Sequence, residues 1–243
     1  TVVALADKLE TLVGMFGIGN LPTGDKDPFA LRRHALGVIR MLVEKNLAID
    51  LPDLIQQSAA CFEGKLADDT RKEQAALLTF INERFATNLR EQNYSAQEVD
   101  AVLSMQITRF GDVPKRLEAV RVFAALPESA ALAAANKRVA NILKKSDAAI
   151  EAKVNEAALV EPAEKALHTA LSTIKPIADA AYEQGDYAGS LKSLAALKAP
   201  VDSFFESVMV NADDAALKAN RLGLLATLHK AMNQVADISR LAA

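Results

Sequence analysis

Tryptophan is absent and cysteine nearly so: Cys61 stands alone among 243 residues. One thiol excludes an internal disulfide, and a zinc ribbon would need at least two ligand cysteines. Such usage suits a reducing cytoplasm. Ten glycines and eight prolines are too few to punctuate a chain of short strands, and the alanine- and leucine-rich remainder favours helix, so the expected fold class is all-α. There is no charge-free stretch of about 18 apolar residues and no signal-peptide pattern, so no membrane partner is expected. A net charge of −3 advertises no general affinity for polyanions. Any contact with nucleic acid must then come from a local gathering of Lys and Arg.

Length allows one large or two modest domains. The helical pattern of Val2, Val3, Ala4 and Leu5 already runs at Thr1, which reads as a domain entered partway through. A helix is predicted over 3–13 with Gly14 as its stop, then a Gly- and Pro-rich loop over 17–24. Asp27 reads as the cap of a helix that has Pro28 at its first position and runs to about Asn46. Its buried stripe is Leu31, Ala35, Val38, Ile39 and Leu42. A third helix follows Pro52 and reaches Phe62. The Glu63-Gly64 step, with Asp68 and Asp69 beyond it, marks a domain junction near residue 66. Further helices are expected over 68–91, 95–107, 112–126, 128–145, 147–158, 161–184, 186–197 and 213–236. Ala199-Pro200 reads as a break, and 201–210 is ambiguous. Without a fixed-period repeat, compact helical bundles are preferred to a superhelix.

Gly19-Asn20-Leu21-Pro22-Thr23-Gly24 comes near a phosphate-cradling loop, but Asp25 occupies the place of the lysine and no strand precedes it. His34, His168 and His229 lie on separate helices without a second ligand at metal-binding spacing, and Cys61 has no neighbouring cation to activate it. No catalytic residue is therefore assigned. The basic residues say more. Arg33 and Arg40 share one face of the second helix with Gly37 between them, a face suited to a phosphate and equally to solvent beside Glu44. The run from Asn136 to Lys145 carries four cations and no acid. Helical spacing groups Lys137, Asn141, Lys144 and Lys145 on one side, against Val139, Ile142 and Leu143 on the other. Such a stripe can track RNA phosphates, although cations near a helix end also complement its dipole. Arg221 falls inside the apolar stripe Leu217, Leu224, Leu225, Leu228, Met232 and Val235 of the last helix. It should therefore meet a carboxylate such as Asp202 or Asp214 in a structural ion pair.

Several of these stretches carry a family resemblance: Ala4-Leu5-Ala6-Asp7-Lys8-Leu9-Glu10-Thr11-Leu12, Lys26-Asp27-Pro28-Phe29-Ala30-Leu31-Arg32-Arg33, the run from Asn136 to Lys145, and Phe204-Phe205-Glu206-Ser207-Val208-Met209-Val210-Asn211 followed by Leu217-Lys218-Ala219-Asn220-Arg221-Leu222. Together they resemble the C-terminal part of the bacterial glycyl-tRNA synthetase β subunit. That resemblance implies that residues 1–66 are the C-terminal part of an HD-like domain and residues 67–243 a helical anticodon-binding domain. Asp7 matches a metal-ligand position of the HD pattern, but the earlier His and His-Asp elements are missing, so no metal and no phosphohydrolase activity is expected. The implied partners are glycine tRNA and an α subunit, which holds the aminoacylation site and uses ATP and Mg. Neither DNA nor a cofactor of the chain's own is expected. Within this reading Lys137, Arg138, Asn141, Lys144, Lys145, Arg33 and Arg40 are the candidate tRNA contacts. The competing expectation is a helical protein-interaction scaffold with no specific reading of tRNA.

Overall fold

A computed structural model describes residues 1–62, 64–66, 70–146 and 150–242. Among these residues the chain is helical, with no strand beyond an isolated bridge between Thr23 and Lys26. It gathers into two compact units, Thr1–Val99 with Gln106–Pro114, and Asp100–Met105 with Lys115–Ala243. The signals for a junction near residue 66 include Glu63, Asp68 and Asp69, which lie outside the described residues. The helix beyond them packs within the first unit.

In the first unit, α1 (Val2–Gly17) packs on α2 (Leu31–Glu44), α3 (Leu51–Ala60) and α4 (Arg71–Glu91). Gly14 does not stop α1. A Cβ there would sit 3.1 Å from the Phe62 ring, and one at Gly17 would sit 2.7 Å from the Leu66 side chain. These glycines are notches that admit neighbouring side chains; the helix runs past Gly14 and ends at Gly17. Asp27 does cap α2, but from a turn upstream: its carboxylate accepts from the Leu31 and Arg32 amides at 2.8 and 3.0 Å. Pro28 and Phe29 form that turn, and Ala30, at φ 53°, is the residue before the helix. The stripe Leu31, Ala35, Val38, Ile39 and Leu42 is wholly buried, as its spacing predicts. Phe85 of α4 stacks on Phe110 with centroids 4.6 Å apart. Residues 106–114 dock here too, where the Leu51 amide donates to the Thr108 carbonyl at 3.0 Å. The Thr108 hydroxyl bonds the Asp50 carboxylate. That bond, ahead of the nearby Arg109 cation, holds the Asp50 carboxyl below its ordinary range against a smaller opposing effect of burial.

Helices α5 (Ala96–Leu103) and α6 (Val113–Ala124) carry the chain between the units. α5 ends earlier than expected, ahead of Gln106 at φ 52°. The second unit then comprises α7 (Ser129–Lys144), α8 (Pro162–Glu183), α9 (Tyr187–Ser193), α10 (Lys198–Ser207) and α11 (Ala215–Met232). Ala199-Pro200 is no break: Pro200 lies in the first turn of α10, where its missing N–H costs no hydrogen bond. The helix expected over 147–158 does not form in the described part. Only Glu156–Ala158 makes a single 3₁₀ turn, and 147–149 lie outside the described residues.

The cause lies in α11. Asn220 donates to the Asn155 carbonyl at 3.0 Å and accepts from the Asn155 amide at 2.7 Å, so the upstream segment is bound to α11 by its own backbone groups. Gly223 lets that segment in, since a Cβ there would lie 2.1 Å from the Lys153 carbonyl oxygen. A backbone committed to those contacts is not free to complete helical hydrogen bonds.

Candidate nucleic-acid interface

The basic run lies on α7, whose opposite face is in the core. Leu132, Ala133, Asn136 and Val139 are buried, and Ile142 and Leu143 are half-buried. Lys137, Asn141, Lys144 and Lys145, the group set by helical spacing, are all exposed, and so is Arg138. Arg138 differs from the lysines. Its guanidinium lies over the Phe205 ring of α10, 4.2 Å from the centroid. Lys144 closes the last turn and Lys145 follows it, so both cations also complement the helix dipole.

A buried polar cluster fixes the rotation of α7. Asn136 and Asn233 exchange amide hydrogen bonds at 2.8 and 3.1 Å, and His229 Nδ1 lies 3.0 Å from Asn136 Oδ1. Asn233 also donates to the His229 carbonyl at 2.8 Å. Burial pushes the His229 imidazole below its ordinary range, with the Asp237 charge opposing. Sequence reasoning missed this cluster because Asn136 reads as one more polar residue of the basic run. Its period gives it away, since Leu132, Asn136 and Val139 recur at intervals of four and three.

Arg221 is buried and paired, but with Glu164 rather than Asp202 or Asp214. Its Nε donates to a Glu164 carboxylate oxygen and its Nη1 to the Met209 carbonyl at 2.7 Å. Asp202 is taken by Lys198 at 2.7 Å, a bond that raises the lysine's pKa, and Asp214 caps α11 through the Leu217 amide at 2.9 Å. The other Glu164 oxygen accepts from the Val160 and Glu161 amides, both at 2.8 Å, completing a capping box at the start of α8. Burial alone would raise the Glu164 carboxyl. The Arg221 hydrogen bond and the two amides outweigh it and hold the carboxyl below its ordinary range. The spacing of Glu161 and Glu164 was the available sequence signal.

In the first unit, Arg33 and Arg40 are both exposed. The notch at Gly37 between them is filled by the stem of Lys8, whose Cε would lie 2.6 Å from a Cβ there. Three cations thus share this side of α2, and the close approach expected at Gly37 is made by a side chain. The Asp7 carboxylate points to solvent, 3.9 Å from the Lys8 ammonium. No cluster of three or more metal-ligating side chains forms among the described residues, and among them no helix is long and apolar enough to cross a membrane. The loop over 17–24 closes on itself through the paired Thr23 and Lys26 backbones at 3.0 and 2.8 Å. The Gly24 carbonyl accepts from Arg32 at 2.5 Å. At that point the loop offers a carbonyl already bonded to a cation, where a phosphate cradle would offer amides.

Residues 1–104 match the family model described as glycyl-tRNA synthetase beta subunit, and residues 132–239 match the DALR anticodon binding domain. The second match contains α7 from Leu132 onward, the basic run and Arg221. Over the whole chain the sequence is 66% identical across 243 residues to the glycine–tRNA ligase beta subunit of Leptothrix cholodnii, and 67% identical across 243 residues to that of Dechloromonas aromatica. It is 66% identical across 242 residues to that of Delftia acidovorans. The chain spans 34% of the length of each of these relatives.

Proposed function

We infer that this chain, which belongs to the glycyl-tRNA synthetase β-subunit family, is a tRNA-binding region that positions glycine tRNA for charging at an active site on a separate α subunit. The observation that carries this reading is the α7 face. Five exposed side chains, four of them cationic, stand on one side of a helix whose rotation is set by a buried polar cluster, inside the stretch that matches an anticodon-binding domain. Phosphate contacts from such a stripe fix the orientation of an RNA, and unpaired bases supply the sequence to be read. The contribution to catalysis is proximity: binding energy spent far from the reacting atoms holds the acceptor end where chemistry occurs. ATP, Mg and the aminoacylation chemistry belong on this reading to the α subunit, and the compartment is the cytoplasm. Arg33, Arg40 and Lys8 offer a second cationic face on the first unit for the same RNA.

One feature favours a protein contact as well. A groove of about 750 Å³ on the first unit is lined almost entirely by apolar groups, among them Val2, Leu5, Leu9, Ile49 and Leu54. Val2 is 82% exposed there. A scaffold would use this groove and leave the cations of α7 idle.

Binding of the chain to glycine tRNA, and to a tRNA with another anticodon, over a salt series separates the two. Phosphate contacts give a steep log-log salt slope, and changing Lys137, Lys144 and Lys145 together to alanine should flatten it by about one for each phosphate left without its lysine. Preference for glycine tRNA that disappears in the triple variant supports the reading. Equal and unchanged affinity for both RNAs in the variant sinks it.

A further inference from the structure

Within the basic run, Arg138 is the cation held against a ring. Phe205, which carries it, is itself anchored: it meets Phe204 edge to face, with centroids 5.6 Å apart and planes at 82°, and Phe204 is fully buried. The guanidinium therefore sits on a support rooted in the core, 4.2 Å above the ring centroid, yet Arg138 remains exposed. Arginine free in solvent loses rotamer entropy when it docks a ligand, whereas one already resting on an aromatic ring has given up part of that freedom beforehand. A supported guanidinium presents an open π-face as well as charged edges. Asn141 lies three residues further along the same side of α7, within helical reach of anything seated on Arg138, and Lys137 is its immediate neighbour.

We propose that Arg138, backed by Phe205, is a stacking platform for a single unpaired nucleobase. Asn141 faces the edge of that base and Lys137 holds a flanking phosphate. The proposal rests on the RNA-binding reading above and adds to it a contact that phosphate tracking does not require. Aromatic residues make up only 5% of the chain, so an arginine plane supported from below supplies a stacking surface that the composition otherwise withholds. Stacking on such a plane suits every base, because each has a π-face, and selectivity is left to the amide of Asn141.

The test uses the 243-residue chain and two RNA hairpins with the anticodon stem and loop of a glycine tRNA, one intact and one abasic at the single loop position whose base contributes most to binding. Both keep every phosphate. The unchanged chain should bind the abasic hairpin about 5- to 100-fold more weakly, the range expected for removal of one base stack. Arg138→Lys keeps the charge but loses the plane, and Phe205→Leu loses the support. Each should bind both hairpins with nearly equal affinity while the salt slope stays as it was. Lys137→Ala should show the opposite pattern, a shallower slope with the abasic penalty intact. Arg138→Lys changes an exposed side chain and so guards against a folding defect in Phe205→Leu. An abasic penalty in Arg138→Lys equal to that of the unchanged chain overturns the platform and leaves RNA binding standing. Failure of the unchanged chain to bind either hairpin at low salt overturns both.

Discussion

The two units are built from the same helical vocabulary, yet different interactions set their geometry. The first is assembled mainly by apolar packing and by glycine notches filled with neighbouring side chains, as at Gly14 with Phe62 and Gly17 with Leu66. The second carries polar groups through its core. The Arg221–Glu164 pair, the Asn136–His229–Asn233 cluster and the Asn155–Asn220 exchange are all at least partly buried. Arg116 adds a fourth case. It is 7% exposed, donates to the Val235 carbonyl at 2.6 Å and to the Tyr182 hydroxyl at 2.8 Å, and lies 4.7 Å from the Tyr187 ring centroid. Apolar packing tolerates small adjustments of position, while a buried hydrogen bond fixes which atom meets which. The unit that carries the basic run of α7 is thus the one whose helices are held in register by directional bonds.

The contrast breaks most visibly at the ion pair. Arg221→Ala strands the Glu164 carboxylate in the core, and the expected loss is about 3–5 kcal/mol in a denaturant titration. Changing Arg221 to Met and Glu164 to Gln together should recover part of it, because a neutral amide at 164 removes the stranded charge while its oxygen still accepts from the Val160 and Glu161 amides. If the double variant is no better than the single one, the pair is holding the loop through Met209 more than it is neutralising charge.

A glycine comparison sharpens the difference. Gly223→Ala drives a methyl onto the Lys153 carbonyl oxygen, so backbone must move, and the expected cost is about 1–3 kcal/mol. Gly17→Ala meets only the flexible end of Leu66. It gains up to about 1 kcal/mol of helix propensity in return, and its net effect should stay within about 1 kcal/mol of zero. Equal losses at the two sites would mean that notches in the first unit are as rigid as those in the second.

The smallest effect is a dependence on pH. The folded His229 has its pKa below the ordinary 6.5. As pH falls through 6.5 the unfolded chain takes up the proton first, so stability declines below that value and levels off once the folded ring also titrates. His229→Gln should flatten the unfolding midpoint between about pH 7.5 and 5.5. A midpoint that follows pH equally in the variant assigns the dependence to other groups.

The sequence was most legible where one periodicity decided the answer. The α2 stripe and the exposed α7 face follow from spacing alone, because apolar and polar residues there sort cleanly by helical angle. It was least legible where a distant partner decides. Nothing within residues 150–158 says that Gly223 and Asn220 will hold that segment out of a helix, and nothing near Arg221 singles out a glutamate 57 residues upstream over two closer aspartates. Gly14 and Gly17 misled for the same reason, since a glycine that ends a helix and one that makes room look alike until the neighbour is known. The role of Phe205 was hidden too, because nothing in the ambiguous stretch 201–210 says which of two adjacent phenylalanines enters the core and which meets Arg138.

Glu164 has two oxygens and both are committed, one to the amides that begin α8 and the other to the arginine that reaches the loop after α10. Aspartate is one methylene shorter and cannot span both duties from the same backbone position. That single side-chain length ties the start of one helix to a turn far along the chain at Met209, so a local opening at either end loosens the other.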